Sequence, residues 1–282
     1  MNATGVWAGE LVPDIALRPS RGTHLVLRAD SLPRTEVALM APVPGERNRY
    51  VFALPQPDGL FYVGLTDVPV DGPAPDVPVP TEPEISFLLD VLGSVLDRAP
   101  VRADVVGAYA GLRPLLDARG RTADLSRRHA VLTTGRVVTI VGGKLTTYRR
   151  MAEDAVDAAA GVAALPAGPC VTRGLPLVGA GSLGRQAGAP GRLVRRYGAE
   201  AGAVLESART LLGAGDAELL APVAAGVPVT AAELLWGVTH EGALDVADLL
   251  DRRTRIGLVP EDRAAAQDAA RTALEAVSAT RR

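Results

Sequence analysis

The stretch VVTIVGGKLTTYRRMAEDAV, residues 137–156, joins a run of mostly β-branched residues, a double glycine and a run typical of a helix. It predicts a strand over 136–141, a turn at Gly142-Gly143 and a helix from Leu145 to about Ala160. A strand, a glycine turn and a helix start together present backbone N–H groups to an anionic or electron-rich ligand. The stretch therefore indicates an α/β fold with a ligand in front of Gly142.

The only lysine of the chain lies in this turn. Thirty residues are Lys or Arg, and all except Lys144 are arginine. Lysine provides a compact point charge on a flexible stem, which the wide planar guanidinium of arginine does not reproduce. We interpret Lys144 as functional, the alternative being one surface lysine retained by chance.

Composition and charge exclude several classes of protein. The 282 residues are 48% hydrophobic and 22% charged with a net charge of −2, which is globular and lacks the basic excess of nucleic-acid-binding proteins. Cys170 is the one cysteine, so an internal disulfide is excluded and a reducing compartment is favoured. No apolar run approaches the roughly 18 residues of a membrane span. These features predict a cytoplasmic protein, and no metal site is predicted.

Upstream of the double glycine, alternating hydrophobic runs predict a β-meander. Strands are expected at 24–29, 49–55 and 60–67, the last two joined by the turn sequence QPDG. The proline-rich segment 68–83 has little chance of regular structure. Thr81 and Glu84 have the spacing of a capping box, which predicts a helix over 84–98. Further strands are expected at 104–110 and 129–134.

The second half of the chain has a different pattern. Residues 163–190 are rich in glycine and proline, and after Gly191 only short helices are predicted. These are expected at 192–198, 199–212, 216–221, 230–242, 243–253 and from Pro260. The predicted organisation is an α/β part over 1–165, a loop over 166–190 and an all-α domain over 191–282.

One segment matches the dinucleotide fingerprint G-x-G-x-x-G without its context. GAGSLG, residues 179–184, follows the short run GLPLV, which contains Pro176, and precedes RQAGAPG, which is unsuited to a helix. Glu200 lies at the distance expected for the acidic residue of the motif, but in a helical segment. We therefore interpret this match as a loop between domains.

Seven motifs in order, spread over nearly the whole chain, resemble those of the FAD-dependent glycerol-3-phosphate dehydrogenases, flavoenzymes that pass electrons to quinone. Each short motif alone is weak evidence, but chance explains seven in the right order poorly. The motifs are NATGVWA (2–8), RPSRGTHLVL (18–27), YVGLTDVP (62–69), AGLRPL (110–115), LSRRH (125–129), VGGKLTTYRRMAEDAV (141–156) and AELLWGVTHEGALDVADLLDRRTRIGL (232–258).

The resemblance implies a partial FAD-binding fold with an antiparallel substrate-binding sheet, followed by a C-terminal all-α domain. Members of the family begin with a strand, a glycine-rich fingerprint and a helix that bind the ADP part of FAD. This chain begins at the NATG motif instead. The expectation is therefore the C-terminal portion of such an enzyme, without the βαβ unit that binds the FAD phosphates.

The resemblance also implies roles for named residues. His24 is expected to be the general base, since imidazole titrates near neutral pH. Arg113 and Arg127 are expected to bind the substrate, and Arg113 to stabilise a developing alkoxide, because guanidinium groups offer forked donors to oxyanions. Lys144 is expected to bind substrate phosphate or flavin. The residues expected to contact FAD are Thr4, Gly5, Gly142, Gly143, Lys144, Leu145 and Thr146.

Simpler alternatives stand beside these roles. His24 could be a strand histidine satisfied by backbone groups, and Arg113 a solvated surface arginine. The match of LSRRH to the family motif leaves open whether Arg127 or the adjacent Arg128 is the substrate-binding arginine. His129 is interpreted as structural. The segment 251–257 is interpreted as an ion-pair cluster.

The partners implied are glycerol 3-phosphate and a quinone acceptor, with no nucleic acid. A homodimer and peripheral contact with the inner face of the cell membrane are left open. Two other functions also stay open: a non-catalytic remnant or partner subunit that does not hold FAD alone, and a flavin-dependent amine or hydroxy-acid oxidase.

Overall fold

The computed structural model describes residues 1–33, 35–116, 128–181 and 190–280. The chain divides into two compact units. Unit 1 comprises residues 1–56 and 60–175, and unit 2 comprises residues 57–59 and 176–282.

Unit 1 is built around a six-stranded antiparallel sheet with the order β2-β3-β4-β1, in which β6 pairs with the other edge of β1. The short β5 pairs with Ser20 and Arg21 of β1, beyond the end of β4. The antiparallel pairing of β3 with β4 is confirmed, but the predicted meander order is wrong for β1, which pairs with β4 instead of with β3. The strands are β1 (Leu17–Arg28), β2 (Leu39–Pro42), β3 (Tyr50–Pro55), β4 (Leu60–Gly64), β5 (Val68–Pro69) and β6 (Val105–Leu116).

Several predicted boundaries in this sheet are wrong. The strand predicted over 60–67 ends at Gly64, and the segment 68–83 contributes the two-residue β5. β1 and β6 extend well beyond the predicted 24–29 and 104–110, because they pair with each other over most of their length. This tertiary pairing includes Pro19 and Pro114, whose local sequence had favoured loops.

One face of the sheet packs against α2 (Glu82–Gly93), and the core of unit 1 lies between them. Leu25 and Leu27 of β1 and Leu88 of α2 are fully buried there. The predicted capping box is present, since the backbone N–H of Thr81 donates to Glu84 Oε2 at 3.1 Å. The helix ends at Gly93 rather than at 98; beyond it Val95 is exposed, while Leu96 still packs against this core. Since side chains alternate along a strand, the other face of β1 carries the intervening residues.

A second part of unit 1 contains the Gly142-Gly143 turn and the elements on either side of it. β7 (Ala130–Thr134) and β8 (Val137–Val141) form an antiparallel hairpin, as predicted. A 3₁₀ turn over Leu145–Thr147 then leads into α3 (Tyr148–Val162). The segment of the NATGVWA motif forms a single parallel bridge from Asn2 to Thr139, followed by a 3₁₀ turn over Gly5–Trp7 and by α1 (Ala8–Leu11).

Unit 2 is mainly helical around its own core of buried aliphatic side chains and Trp236. The prediction of no strand after Gly191 is wrong, because a short hairpin precedes α7. Pro222 and Pro228 weakened its strand pattern. The elements are α4 (Gly191–Tyr197), α5 (Ala201–Leu212), α6 (Asp216–Leu219), β9 (Pro222–Ala224), β10 (Val227–Thr230), α7 (Ala231–Thr239), a π-helix (Asp248–Arg253) and α8 (Pro260–Thr280).

Other features of unit 2 agree with the sequence. The capping box of Thr230 and Glu233 begins α7. Within 251–257, Asp251 pairs with Arg263 of α8 at 2.8 Å, so the segment takes part in ion pairs. The helix predicted over 243–253 is shorter and is a π-helix. In the part of the chain that the structure describes, no helix combines the length and hydropathy that a bilayer-crossing segment needs.

Candidate functional site

His24 lies on the face of the sheet opposite α2. In β1 it is paired with Gly64 of β4 on one side and with Tyr109 of β6 on the other. Its imidazole stacks on the Tyr109 ring with 5.0 Å between ring centroids and 4° between planes, and Tyr62 meets Tyr109 edge-on. A Cβ at Gly64 would lie 2.6 Å from His24 Nε2, so only glycine leaves room for the imidazole.

Arg113 projects from β6 onto the same face. It pairs with Ser20 of β1, four residues before His24, and alternation places both side chains on one side of the sheet. Its guanidinium crosses the backbone of Gly22, where a Cβ would lie 2.8 Å from Arg113 Cζ. Gly22 and Gly64 thus provide the two spaces that the functional side chains occupy.

The guanidinium of Arg113 is held by groups around the end of β4. Nη2 donates to the backbone oxygen of Thr66 at 3.1 Å, and Nη1 lies 3.8 Å from Asp67 Oδ1. The hydroxyl of Ser20 donates to the same Asp67 oxygen. The Asp67 side chain is 4% exposed and that of Arg113 is 22% exposed. A buried carboxylate therefore orients an arginine that still reaches the open face.

The surroundings of His24 keep it neutral. Burial lowers the pKa of the imidazole below its ordinary value of 6.5, and the positive charge of Arg113 lowers this pKa further. The unprotonated ring is therefore the dominant form at neutral pH. It can accept a proton, beside a cation that can stabilise the resulting oxyanion.

The Gly142-Gly143 turn is shaped by close packing inside unit 1. Both glycines have positive φ, of 75° and 82°. A Cβ on Gly142 would lie 2.7 Å from the backbone oxygen of Arg128, and one on Gly143 would lie 2.6 Å from Met151 Cε. These glycines therefore let the turn pack closely against Arg128 and Met151 of unit 1. Nearby, His129 Nε2 bonds Asp154 of α3 at 2.9 Å, which confirms a structural contact for His129.

After the glycines, the chain exposes hydrogen-bond donors. Lys144, Leu145 and Thr146 are exposed, Leu145 to 88%. The backbone N–H of Lys144 donates to Thr147 Oγ1, whereas those of Leu145 and Thr146 meet no acceptor among the described residues. The Lys144 amine forms no ion pair with a described residue. These groups suit the electron-rich pyrimidine end of a flavin ring.

The NATG segment is fixed by Asn2. Asn2 is 2% exposed, and its side-chain oxygen accepts from the N–H and hydroxyl of Thr4 at 3.2 and 2.7 Å. Its amide donates to the backbone oxygen of Ala8 at 3.1 Å. Gly5, which follows Thr4, has φ +63°. The segment therefore turns tightly and presents Thr4 and Gly5 at its surface.

Thr4 and Gly5 line a cavity of about 680 Å³ whose opposite wall is β6. This volume falls within the usual range for small-molecule and cofactor sites. Gly111 faces it from β6, midway between Tyr109 and Arg113 in the strand. The lining residues are Ala3, Thr4, Gly5, Val6, Trp7, Pro75, Pro78, Ala110, Gly111, Leu112 and Pro114.

The structure thus joins some of the predicted site residues and not others. His24 and Arg113 share one face, and Thr4 and Gly5 share one cavity. Gly142 to Thr146 form an exposed turn that makes no hydrogen bond or ion pair with His24. Arg127 lies outside the described residues. Sequence reasoning gave no role to Ser20, Gly22, Gly64, Asp67 and Tyr109. The first four lie inside the motifs RPSRGTHLVL and YVGLTDVP, which was the available signal, whereas Tyr109 lies in none of the motifs.

The second glycine-rich segment has no support as a dinucleotide fingerprint. The described residues 170–178 before it form no strand. Gly179 has φ +80° and packs its backbone against Tyr197 and Gly198 of unit 2. The described start of GAGSLG therefore serves a packing role.

Comparisons with known proteins find relatives for both parts of the chain. Residues 1–149 match the family model described as FAD dependent oxidoreductase, and residues 170–281 match the C-terminal domain of alpha-glycerophosphate oxidase. The chain is 53% identical over 274 residues to glycerol-3-phosphate dehydrogenase 1 of Mycobacterium tuberculosis, covering 93% of this chain and 52% of that protein. It is 34% identical over 261 residues to the mitochondrial glycerol-3-phosphate dehydrogenase of Mesocricetus auratus, covering 86% and 35%.

A solved structure shows the same fold. The glycerol-3-phosphate dehydrogenase of Bacillus halodurans, complexed with FAD, matches with a TM-score of 0.72 and 25% identity over 98% of this chain and 61% of that one. The chain spans about half the length of the Mycobacterium relative.

Proposed function

Because the chain belongs to the family of FAD-dependent oxidoreductases, we propose that it oxidises sn-glycerol 3-phosphate to dihydroxyacetone phosphate. The observation that carries the proposal is the pair of His24 and Arg113 on one sheet face, a neutral base beside a fixed cation. The names of the 53% identical relative and of the Bacillus structure support the substrate.

In this proposal His24 removes the proton of the secondary hydroxyl on C2. Arg113 stabilises the negative charge that develops on that oxygen, and its forked donors also suit the substrate phosphate. When bound, FAD supplies the acceptor for the hydride that leaves C2. The proton remains on His24 until it passes to solvent, so charge and electrons balance.

The described residues fit the ring part of FAD. Thr4 and Gly5 offer a cavity wall, and the turn from Gly142 to Thr146 offers backbone N–H groups and the Lys144 amine. Donors of this kind stabilise negative charge on a reduced flavin. For the diphosphate, a strand, glycine turn and helix of the fingerprint type is absent from the described residues. We assign the ring end alone to this chain.

The further partners belong to the same proposal. Quinone as the electron acceptor, a homodimer and peripheral contact of a cytoplasmic protein with the membrane rest on the family resemblance. One alternative function is a non-catalytic family member that retains this sheet and binds no FAD on its own.

A comparison of substrates tests the proposal. With FAD and an artificial electron acceptor, the chain is expected to oxidise glycerol 3-phosphate and to leave glycerol and glycine unchanged. Glycerol lacks the phosphate, and glycine lacks the secondary hydroxyl. Turnover of glycine or of a 2-hydroxy acid in preference to glycerol 3-phosphate would support the amine or hydroxy-acid oxidase alternative instead.

A further inference from the structure

We propose that Thr66, held by the buried carboxylate of Glu84, is a positioning residue that fixes Arg113 in the substrate site. The inference rests on the proposed function for the identity of the substrate. The structural basis is a series of contacts that runs through the sheet, from α2 on one face to Arg113 on the other.

The first link is the Glu84 carboxylate. It is 4% exposed and lies at the third position of α2, behind the strand that carries His24. Oε2 accepts from the hydroxyl of Thr81 at 2.8 Å and from Arg21 Nε at 2.9 Å. Oε1 accepts from the hydroxyls of Thr66 at 2.8 Å and Thr23 at 3.0 Å. Three threonine hydroxyls therefore converge on one buried charge.

The second link is Thr66 itself. It is 2% exposed and follows β4 without belonging to a strand. Its hydroxyl accepts the backbone N–H of Thr23 at 2.9 Å while donating to Glu84. Thr23 directly precedes His24. The hydroxyl thus fixes the segment after β4 to β1 at the position of the proposed base.

The third link is the backbone oxygen of Thr66, which accepts from Arg113 Nη2 at 3.1 Å. The next residue is Asp67, whose carboxylate forms the ion pair with Arg113. Two of the groups that contact the guanidinium therefore lie in the segment that the Thr66 hydroxyl holds, and Ser20 Oγ, 3.5 Å from Nη1, is a further contact. Loss of the Thr66 hydroxyl is expected to loosen this segment, which Ser20 and the β5 pairing continue to hold to β1.

A comparison within the molecule separates this role from helix capping. Glu233 in unit 2 is 1% exposed, begins α7 through a capping box with Thr230, and pairs with Arg192. Among the described residues, the hydroxyl that donates to Glu233 comes from Thr230 alone. Glu84 has the same cap and the same arginine contact, with the hydroxyls of Thr23 and Thr66 in addition. The additional contacts lead to the site.

The test follows the titration of His24 by NMR in the full chain, without added cofactor. Thr66→Val removes the hydroxyl and changes no charge, so a shift in the His24 pKa reports movement of Arg113, the charged group that lowers it. We expect this pKa to rise toward its ordinary value. In parallel, calorimetry is expected to show about tenfold weaker binding of glycerol 3-phosphate, the effect of roughly one hydrogen bond.

Two variants serve as controls. Thr81→Val removes a hydroxyl from the other oxygen of the same carboxylate, with no hydrogen bond to Arg113 or Asp67, and is expected to leave the His24 pKa and the affinity unchanged. Thr66→Ser keeps the hydroxyl and should restore both values. If Thr66→Val does not fold, Thr66→Ala provides the same comparison with a smaller side chain.

An unchanged His24 pKa and affinity in the folded Thr66 variants would overturn the inference, and so would an equal effect of Thr81→Val. The two proposals fail separately. If His24 responds to Thr66 while the unaltered chain binds no glycerol 3-phosphate, the positioning contact stands and the proposed substrate is wrong.

Discussion

At the scale of single residues, two glycines, which have no side chain, decide where the functional side chains lie. His24 occupies the space over Gly64, and Arg113 occupies the space over Gly22. The motif around His24 was recognisable in the sequence, and Gly22 lies within it. Gly64 and Asp67 also lie in a motif, YVGLTDVP, but their roles beside His24 and Arg113 depend on the register between β1, β4 and β6, which the sequence does not give.

The first prediction concerns Arg113. In Arg113→Gln the cation that lowers the His24 pKa is lost, so this pKa should rise, although burial continues to hold it down. The acidic limb of the pH profile of kcat/KM should move to higher pH with it, and kcat/KM should fall by roughly 10²-fold or more, in the range found when one oxyanion-stabilising donor is removed. NMR titration and pH-rate profiles measure both. An unchanged His24 pKa would contradict the arrangement of the pair.

The second prediction concerns Gly64. Gly64→Ala places a methyl group 2.6 Å from His24 Nε2, so the imidazole must leave its stack with Tyr109. Activity should fall sharply, and glycerol 3-phosphate should bind more weakly.

The matched control for Gly64→Ala is Gly161→Ala near the end of α3, where a Cβ meets nothing within 4 Å. Alanine there should be neutral or raise the free energy of unfolding by about 0.5–1 kcal/mol through helix propensity. Thermal unfolding and steady-state kinetics distinguish the two variants. Equal activity in both would show that His24 does not need the space over Gly64.

At the scale of elements, periodic segments were predictable and tertiary ones were not. The helix at α2, its capping box and the β7–β8 hairpin follow from local pattern and turn residues. β5 and the β9–β10 hairpin escaped prediction because prolines break their pattern, and they form through pairing with distant or short partners. The long β1 strand likewise depends on β6, which lies far away in sequence.

The third prediction concerns the pH dependence contributed by Glu84. Burial raises the pKa of this carboxyl, but the hydrogen bonds from Thr81, Thr66 and Thr23 outweigh it, so the pKa is lowered from 4.5. Its stabilising contribution is therefore present above the unfolded pKa and is lost as pH falls through the lower folded pKa. The difference in unfolding free energy between the unaltered chain and Glu84→Gln should be largest near pH 7 and shrink below about pH 4. Denaturant titrations at several pH values check this, and a constant difference would contradict it.

The fourth prediction concerns the cap of α7 in unit 2. Thr230→Ala removes the hydroxyl that accepts the backbone N–H of Glu233, and should cost about 1 kcal/mol of stability. Thr210→Ala is the control, because that hydroxyl is exposed and bonds only within α5, and it should change the unfolding free energy by less than about 0.5 kcal/mol. Denaturant unfolding compares the two, and equal losses would argue against the cap.

At the scale of the whole molecule, the chain combines two units whose matches lie in one family of enzymes. The fold class was predictable because seven motifs appear in order along the sequence. The candidate site was predictable only in part, since motifs identify His24 and Arg113 but not the groups that hold them. The His24 face lies in unit 1, which matches the FAD-dependent part.

The most direct test is the visible absorption spectrum of the purified chain with FAD, before and after addition of glycerol 3-phosphate. The account predicts a bound flavin spectrum that bleaches with the substrate, and that does not bleach in His24→Gln. A chain that takes up no FAD, or a bound flavin whose spectrum glycerol 3-phosphate leaves unchanged, would contradict the proposed oxidation.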